Sequence, residues 1–224
     1  MKRLIKLKIS GDIIRWVNSF FTDRKVQLVI NGYTCSSKEV EAGLPQGSPI
    51  SLILFVIYIS GFFDHIEEKI PVTTLSFADD IGIIAVESSI RDTTKTLEAA
   101  GLEAIQWGLQ NRISFEVDKT EAVLFTKKRK LAKEVNQARI RLENNSIRYN
   151  KEATRWLGIW LDSGLSFKAH YRTRLQKAKA AENRLKSIAN IYGLSPGLVR
   201  RIQIAVVQSI ALYGAEIWWQ GQKT

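Results

Sequence analysis

Two hydrophobic periodicities alternate along the chain, and together they predict a mixed α+β fold. Apolar residues recur at helical spacing in five stretches, whereas shorter runs are rich in the β-branched and aromatic residues of strands. The predicted helices cover residues 13–20, 50–62, 93–110, 167–188 and 195–214. The predicted strands cover residues 26–30, 33–40, 113–117, 122–125, 139–142, 146–149 and 155–161, with a further hairpin at 75–86.

Local signals predict how these elements begin, turn and face the core. Asp12 is expected to cap the first long helix, Asn31-Gly32 to form a hairpin turn, and Gly158 to permit a close backbone approach. Apolar positions at helical spacing are Leu97, Gly101, Ile105 and Leu109. One apolar helix face is expected at Tyr171, Leu175, Ala178, Leu185 and Ile188, and inward positions of the last helix are expected at Leu198, Ile202, Ala205, Val206 and Ser209.

The loop at 43–49, GLPQGSP, holds two glycines and two prolines and precedes an apolar helix. Ser48 can cap that helix and Pro49 can occupy its first position. Gln46 and Gly47 are then exposed at the helix entrance, where a base or a sugar could approach the backbone. The alternative is a loop that does no more than start a helix.

The hairpin at 75–86, LSFADDIGIIAV, places Asp79 and Asp80 at a tight turn between two apolar strands. Burial of two neighbouring carboxylates without a counter-charge is costly, and a divalent cation offsets that cost. Oxygen ligands suit Mg²⁺, which takes one or two carboxylates together with substrate phosphates. The alternative is a solvated turn with no metal.

Composition excludes several classes of protein. The 224 residues are 45% hydrophobic and 25% charged, which is typical of a globular chain. A single cysteine, Cys35, excludes an internal disulfide framework and predicts an intracellular, reducing compartment, while two histidines make a structural zinc site unfavourable. The apolar run 52–63 is too short to span a bilayer, so we expect a core helix and no membrane partner.

Charge is distributed unevenly and indicates a polyanionic partner. Residues 1–125 carry 13 Lys/Arg against 16 Asp/Glu, a net charge of −3, whereas residues 126–224 carry 20 against 6, a net charge of +14. A strongly basic half predicts nucleic-acid binding, with an inert basic surface as the alternative. The basic cluster at 127–133 could be a solvated loop, a nuclear-import signal or a phosphate-binding patch.

The order of these landmarks resembles the reverse transcriptases of non-LTR (LINE-like) retrotransposons. The resemblance covers nearly the whole chain: GLPQGSP at 43–49, FADD at 77–80, DKTE at 118–121, WLG at 156–158, and then basic helices. It implies an RNA-directed DNA polymerase of right-hand shape. A partial palm with an antiparallel sheet would occupy residues 1–125, a connection with a primer-grip segment 126–162, and a basic helical thumb-like region 163–224.

The resemblance also implies residue roles, cofactors and partners. Asp79 and Asp80 match the acidic pair that binds the catalytic Mg²⁺ or Mn²⁺ ions, and Lys119 matches a lysine that assists the departing pyrophosphate, or is simply an exposed turn lysine. Gln46, Gly47, Phe77 and Ala78 match the nucleotide-binding positions, and Trp156, Leu157 and Gly158 match the primer-grip turn. The partners would be an RNA template, a DNA primer and dNTP.

One departure from the family concerns a third carboxylate, which the family carries on a strand before the GLPQGSP loop. Here Asp12 and Asp23 precede the loop, and neither lies in an apolar strand. We therefore expect a truncated reverse transcriptase that begins after the first catalytic Asp, with the remaining polyprotein domains upstream. Two alternatives stay open: an inactive remnant that binds RNA or DNA through its basic half, and a relic with no retained function.

The sequence therefore predicts that this chain alone does not extend a primer on an RNA template. Catalytic groups that act as a unit lose several orders of magnitude in rate when one is missing. Primer extension with Mg²⁺ or Mn²⁺ measures this directly. Template-dependent incorporation that the substitution Asp79→Ala abolishes would contradict the prediction.

Overall fold

The computed structural model describes residues 1–40, 43–126, 132–219 and 221, and these form two compact units. The first comprises Met1–Glu87 and Lys95–Phe115, and the second comprises Ser88–Thr94 and Glu116–Thr224. Helices and small antiparallel sheets together confirm the mixed α+β class. The division into palm, connection and thumb stays a prediction, and residues 127–131 of the basic cluster lie outside the described residues.

Helices and hairpins alternate in the first unit. The helices are α1 (Lys2–Lys6), α2 (Gly11–Phe21), α3 (Pro49–Lys69) and α4 (Ile90–Gln110), of which α4 begins among residues of the second unit. The strands are β1 (Lys25–Val26), β2 (Val29–Ile30), β3 (Tyr33–Thr34), β4 (Lys38–Glu39), β5 (Thr73–Phe77) and β6 (Asp80–Ile84). Strands β2 and β3 pair around Asn31-Gly32 as predicted, β1 pairs with β4, and β5 pairs with β6.

Two hairpins and a series of helices make up most of the second unit. The strands are β7 (Arg139–Leu142), β8 (Asn145–Arg148), β9 (Ala153–Trp156) and β10 (Ile159–Asp162). The helices are α5 (Ala132–Gln137), α6 (Lys168–Tyr192), α7 (Pro196–Ile202), α8 (Ser209–Ala211) and α9 (Ala215–Trp218), with a π-helical turn at Gln203–Gln208. The run 155–161, predicted as one strand, is instead a hairpin of β9 and β10.

The core of the first unit lies between α3 and α4. Phe62 is 1% exposed and its ring packs edge-on against Trp107 at 5.4 Å between centroids, while Ala100 of α4 is fully buried. Burial of a large aromatic side chain contributes about 1.5–3 kcal/mol. Ile81 and Ile83 of β6 pack against the same core, so the β5–β6 hairpin is fixed to the two helices.

Helix α3 begins at Pro49 as predicted but continues past residue 62 to Lys69. One face is buried through Ile59 and Phe62, whereas Leu52 and Ile53 are 60% and 55% exposed, so the prediction of a buried helix is wrong for the second face. With 21 residues, the helix is long and apolar enough to cross a bilayer by length and composition alone. The predicted span was shorter because the apolar run ends at Phe63, whereas the helix continues through the mainly polar residues 64–69.

Asp12 was expected at the N-cap of α2, and this prediction is wrong. Ser10 is the N-cap residue and the helix begins at Gly11. Asp12 lies in the first turn and forms an ion pair with Arg15. A carboxylate in the first turn of a helix still interacts favourably with the helix dipole. This explains why an aspartate at the second helical position accompanies the start of the helix without capping it.

The apolar positions predicted at helical spacing in α4 are only partly buried: Leu97, Gly101 and Ile105 are half-buried, whereas Leu109 is 75% exposed. The buried stripe runs instead through Ala100, Ala104 and Trp107. Positions repeated strictly every four residues drift around a helix of 3.6 residues per turn, whereas alternate steps of four and three stay on one side. The predicted stripe had four-residue steps throughout, so its C-terminal end turned towards solvent.

Two predicted strands do not form. Residues 113–116 have no regular structure, Val117–Lys119 is a 3₁₀ turn, and Ala122 makes a single parallel bridge to Tyr149. The alternating apolar residues fill the core rather than a sheet, because the Phe115 ring packs 5.5 Å from that of Phe62. Alternating apolar and polar residues indicate a segment with one buried face, but a strand also needs a neighbouring strand with which to form the hydrogen-bond ladder.

The C-terminal helices present faces other than those expected. Tyr171 is 53% exposed and Val206 is 46% exposed, although Ala178 and Leu185 are buried as predicted. Leu175, Ile188, Leu198, Ala205 and Ser209 are likewise exposed, and Ile202 is half-buried. After Ile202 the π-helical turn contains more residues per turn than an α-helix. The residues that face inward after this turn are therefore displaced from the positions that a 3.6-residue period predicts.

The packing of Phe62 predicts a large difference between two phenylalanines in the same unit. Phe62→Ala should lower the free energy of unfolding by about 3–5 kcal/mol, because it opens a cavity between α3 and α4. Phe77→Ala is the control, because Phe77 is 65% exposed and exposed substitutions usually change stability by about 0.5 kcal/mol or less. Urea denaturation followed by circular dichroism measures both, and equal losses would contradict the assigned core.

Candidate active site and nucleic-acid interface

The acidic motif occupies the tight turn of the β5–β6 hairpin. Phe77 pairs with Asp80, so Ala78 and Asp79 form a two-residue turn. Ala78 has a φ of 53°, the left-handed conformation that such turns require of a residue. The turn thus presents Phe77, Asp79 and Asp80 at one end of the hairpin, and all three side chains are exposed.

The premise that these two carboxylates are buried is wrong, so burial does not demand a counter-ion. Neither Asp79 nor Asp80 has a hydrogen-bond or ion-pair partner among the described residues. Two adjacent, unpartnered carboxylates nevertheless fit the oxygen ligands that a divalent ion such as Mg²⁺ prefers. In the described part of the chain no third metal-binding side chain completes a group of three.

The loop at 43–49 folds as a turn whose conformation depends on Gly47. Gly47 has a φ of 86°, and the Ser48 N–H donates to the Pro45 carbonyl at 3.4 Å. The buried Ser51 hydroxyl donates to the same carbonyl at 2.7 Å and so fixes the loop to the start of α3. Ser48 stands at the N-cap without a side-chain bond, and Gln46 and Gly47 are exposed as predicted.

Lys119 lies in the second unit, at the end of the 3₁₀ turn Val117–Lys119. Its side chain is 79% exposed and forms an ion pair with Glu116. The hydrogen bond between these two side chains raises the pKa of Lys119. The ammonium is therefore a solvated cation whose partner is three residues away. This geometry is that of an exposed turn lysine, and the role implied by the resemblance stays a prediction.

The turn of the β9–β10 hairpin is built from Leu157 and Gly158. Trp156 pairs with Ile159, and the two turn residues have φ values of 46° and 83°. Two consecutive positive φ angles are typical of a type I′ turn, which favours glycine, whereas a leucine there stores about 1–2 kcal/mol of strain. Leu157 is 39% exposed, so a strained apolar side chain is presented to solvent.

Tyr213 holds this turn from the C-terminal end of the chain. Its hydroxyl donates to the Leu157 carbonyl at 2.9 Å. A Cβ atom on Gly158 would lie 2.8 Å from that hydroxyl oxygen, so glycine is required both by its φ and by the contact. A close backbone approach was predicted at Gly158, and the group that approaches is instead the side chain of Tyr213.

A buried histidine fixes Tyr213 in turn. His170 is fully buried, and its Nδ1 accepts the Trp160 N–H at 3.3 Å. Because Nδ1 accepts, the ring proton is on Nε2, which donates to the Tyr213 carbonyl at 3.0 Å. The Trp218 indole N–H donates to the same carbonyl at 3.1 Å. The sequence did not predict that His170 would fix Tyr213, because a single histidine in a basic helix has no pattern that indicates a buried hydrogen-bonding role.

Asp162 connects β10 to α6, a role that the sequence analysis missed. Burial raises the pKa of this carboxyl, but hydrogen bonds from Ser166, Gly164 and Phe167 outweigh burial and leave the pKa below its usual value. Its oxygens accept the N–H groups of these three residues at 2.8–3.1 Å. An aspartate followed by Ser-Gly is a recognisable turn signal and could have predicted it.

Comparison with known proteins agrees with the order of these motifs. A family model for reverse transcriptase (RNA-dependent DNA polymerase) matches residues 1–161. The chain is 28% identical to the RNA-directed DNA polymerase from mobile element jockey of Drosophila funebris, in an alignment covering 89% of this chain and 23% of that protein. For the protein of the same name from Drosophila melanogaster the identity is 28%, covering 90% and 22%.

A more distant relative is the probable RNA-directed DNA polymerase from transposon BS of Drosophila melanogaster. It is 22% identical over 90% of this chain and 22% of its own length. The chain therefore spans less than a quarter of the length of these curated relatives.

The contact between Gly158 and Tyr213 predicts that Gly158→Ala destabilises the second unit by more than its backbone strain. A left-handed alanine alone costs about 1–2 kcal/mol, and displacement of the tyrosine ring adds to this cost. Gly193→Ala is the control, because Gly193 has a φ of 59° and a Cβ atom added there would meet no heavy atom within 4 Å. Thermal unfolding of both variants measures the difference, and equal shifts in Tm would contradict the contact.

Proposed function

Because the chain belongs to the reverse transcriptase family, we propose that it is the part of a non-LTR retrotransposon RNA-directed DNA polymerase that presents the acidic hairpin. The observation that carries the proposal is the family match over residues 1–161, within which the FADD motif forms a two-residue turn with both carboxylates exposed. Polymerase activity is proposed for the longer protein, since the chain spans about a quarter or less of its relatives.

Asp79 and Asp80 are the residues that would hold the divalent metal ions used by this family, Mg²⁺ or Mn²⁺. Such ions, when bound, stabilise the charge on the attacking and leaving oxygens of phosphoryl transfer. The role of the chain is to keep both carboxylates side by side at the turn of a hairpin whose strand β6 packs on α3 and α4. Phe77 and Ala78 precede them on the same turn and would contact the nucleotide.

The remaining proposed roles follow the motifs along the chain. Gln46 and Gly47 would contact the incoming dNTP and the template, and their exposure leaves them accessible. Lys119 would assist the departing pyrophosphate, and Trp156, Leu157 and Gly158 would contact the DNA primer. Residues 1–125 would correspond to the palm, 126–162 to the connection and 163–224 to the thumb.

Helix α6 supports binding of the template–primer through phosphates. Lys168, Arg172 and Lys179 are exposed and fall on one side of the helix at steps of four and seven residues. Cations in such a row neutralise a phosphate backbone without reading its sequence. The partners would be an RNA template and a DNA primer, and the proposed location is intracellular.

A second candidate function is an inactive remnant that binds nucleic acid through the same basic half. The observation that favours it is that no group of three metal-binding side chains occurs among the described residues. Both candidates predict nucleic-acid binding. They differ in whether the acidic hairpin binds a divalent ion.

We expect Mn²⁺ to bind the acidic hairpin of the isolated chain. In a titration followed by nuclear magnetic resonance, paramagnetic broadening should begin at the amide signals of Ala78, Asp79 and Asp80, and Mg²⁺ should compete. The double substitution Asp79→Asn with Asp80→Asn should abolish the effect, because it removes both charged oxygen ligands. Glu143→Gln, in the turn between β7 and β8, is the matched control and should change nothing at the hairpin. Broadening that persists in the double variant would contradict a metal site.

We also expect nucleic-acid affinity to depend steeply on salt and on α6. Replacing Lys168, Arg172 and Lys179 by Gln should weaken binding to an RNA–DNA duplex, and the log–log salt slope should become shallower by about 0.9 for each phosphate that is no longer neutralised. A control set from the first unit removes the same charge from the exposed residues Lys2, Lys8 and Lys25. Fluorescence anisotropy measures both sets, and equal weakening would show that binding follows net charge rather than this helix.

A further inference from the structure

Arg174 is a cation of α6 that is turned away from its solvated neighbours. Its guanidinium lies over the Tyr213 ring, 3.9 Å from the ring centroid. Its Nε is buried without a hydrogen-bond partner, and Arg174 forms no ion pair with any residue in the described part of the chain.

We propose that Arg174 binds a backbone phosphate of a nucleic-acid strand, and that Tyr213 positions it for this contact next to the β9–β10 turn. The inference rests on the proposed function, since it assumes that this unit binds nucleic acid. It adds a binding residue and a positioning residue outside the WLG motif. The ligand chemistry is that of a phosphodiester.

The guanidinium is preorganised but unsatisfied. An arginine carries five N–H donors in a rigid plane, and stacking on an aromatic ring fixes that plane. The Nε–H of Arg174 is buried, so the terminal Nη groups are the donors that would face a phosphate. A partly buried cation without a carboxylate retains an unmet demand for an anion. Asp162, the acidic residue on the loop into α6, does not meet it because its oxygens accept hydrogen bonds from Gly164, Ser166 and Phe167.

One tyrosine connects the cation to the turn. The Tyr213 ring carries Arg174 on its face, while its hydroxyl donates to the Leu157 carbonyl at 2.9 Å. His170 and Trp218 both donate to the Tyr213 carbonyl, which restrains the backbone behind the ring. The same ring therefore fixes both the guanidinium and the β9–β10 turn. Planar, bidentate recognition of phosphate is the contact for which arginine is best suited.

The test uses the full chain and a DNA primer annealed to an RNA template, with single phosphates of the primer replaced in turn by neutral methylphosphonates. In the wild-type chain, one position should weaken binding about tenfold, the effect expected when one charge-assisted hydrogen bond is removed. Arg174→Met should weaken binding to a similar extent. In this variant, the methylphosphonate at that same position should cause no further loss of affinity. Arg184→Met is the matched control, an exposed arginine of the same helix, and should keep the wild-type sensitivity.

Two variants of Tyr213 test its positioning role. Tyr213→Phe keeps the aromatic ring, so the methylphosphonate at that position should still weaken binding. Tyr213→Leu removes the ring, so the same methylphosphonate should no longer weaken binding. If a variant fails to fold, the wild-type chain still decides: the Nε–Hε signal of Arg174 should shift when the primer–template is added and stay unshifted with the methylphosphonate at that position.

The outcomes separate this inference from the proposed function. No binding of the primer–template at low salt would overturn both. Binding with the same methylphosphonate profile in Arg174→Met and in the wild-type chain, or an Arg174 signal that never shifts, would overturn the inference alone. Coupling confined to one phosphate and to Arg174 would support it.

Discussion

Helix α3 is the element on which the first unit depends. Its buried face packs Phe62 against Trp107 of α4, and the same helix carries Leu54, which packs with Leu4 of α1 and Val17 of α2. Its first turn anchors the GLPQGSP loop through Ser51, and near its end the Glu67 carboxylate accepts both the N–H and the hydroxyl of Thr74 at 2.7 Å. The two motifs of the candidate active site are therefore both fixed to one helix.

The second unit uses a polar cluster for the same purpose. His170, Tyr213 and Trp218 join the start of α6 to the end of the chain and hold the β9–β10 turn in a conformation that is strained at Leu157. Strained residues persist where surrounding contacts over-determine them, and such positions cluster at functional sites. The Tyr213 contacts satisfy that condition and give a physical reason for a glycine at position 158.

The sequence predicted the tight turns well because their chemistry is local. Asn31-Gly32 and the FADD turn both require left-handed or sharply turned backbone, and nearby residues are sufficient to show it. The turn at Leu157-Gly158 was not predicted from the local pattern, which indicated one strand over residues 155–161. Local patterns also predicted the existence and order of most of the helices. These signals, taken in order, carried the family resemblance, which the family match over residues 1–161 confirms.

Long-range packing accounts for what the sequence did not predict. The buried side of α4 depends on the aromatic residues of α3, and the π-helical turn moves the inward side of the last helices away from a 3.6-residue period. Phe115 lies in a core rather than a strand because its partner is Phe62. The Tyr213–Leu157 hydrogen bond joins residues 56 positions apart, a separation at which no local signal indicates the pairing.

The central claim is that the FADD hairpin is part of a polymerase metal site. The most direct measurement is primer extension by a chimera in which this chain replaces the matching segment of the jockey polymerase of Drosophila funebris. We expect template-dependent DNA synthesis that Asp79→Asn or Asp80→Asn abolishes and that Glu143→Gln leaves intact. Synthesis that survives removal of both hairpin carboxylates would contradict the claim.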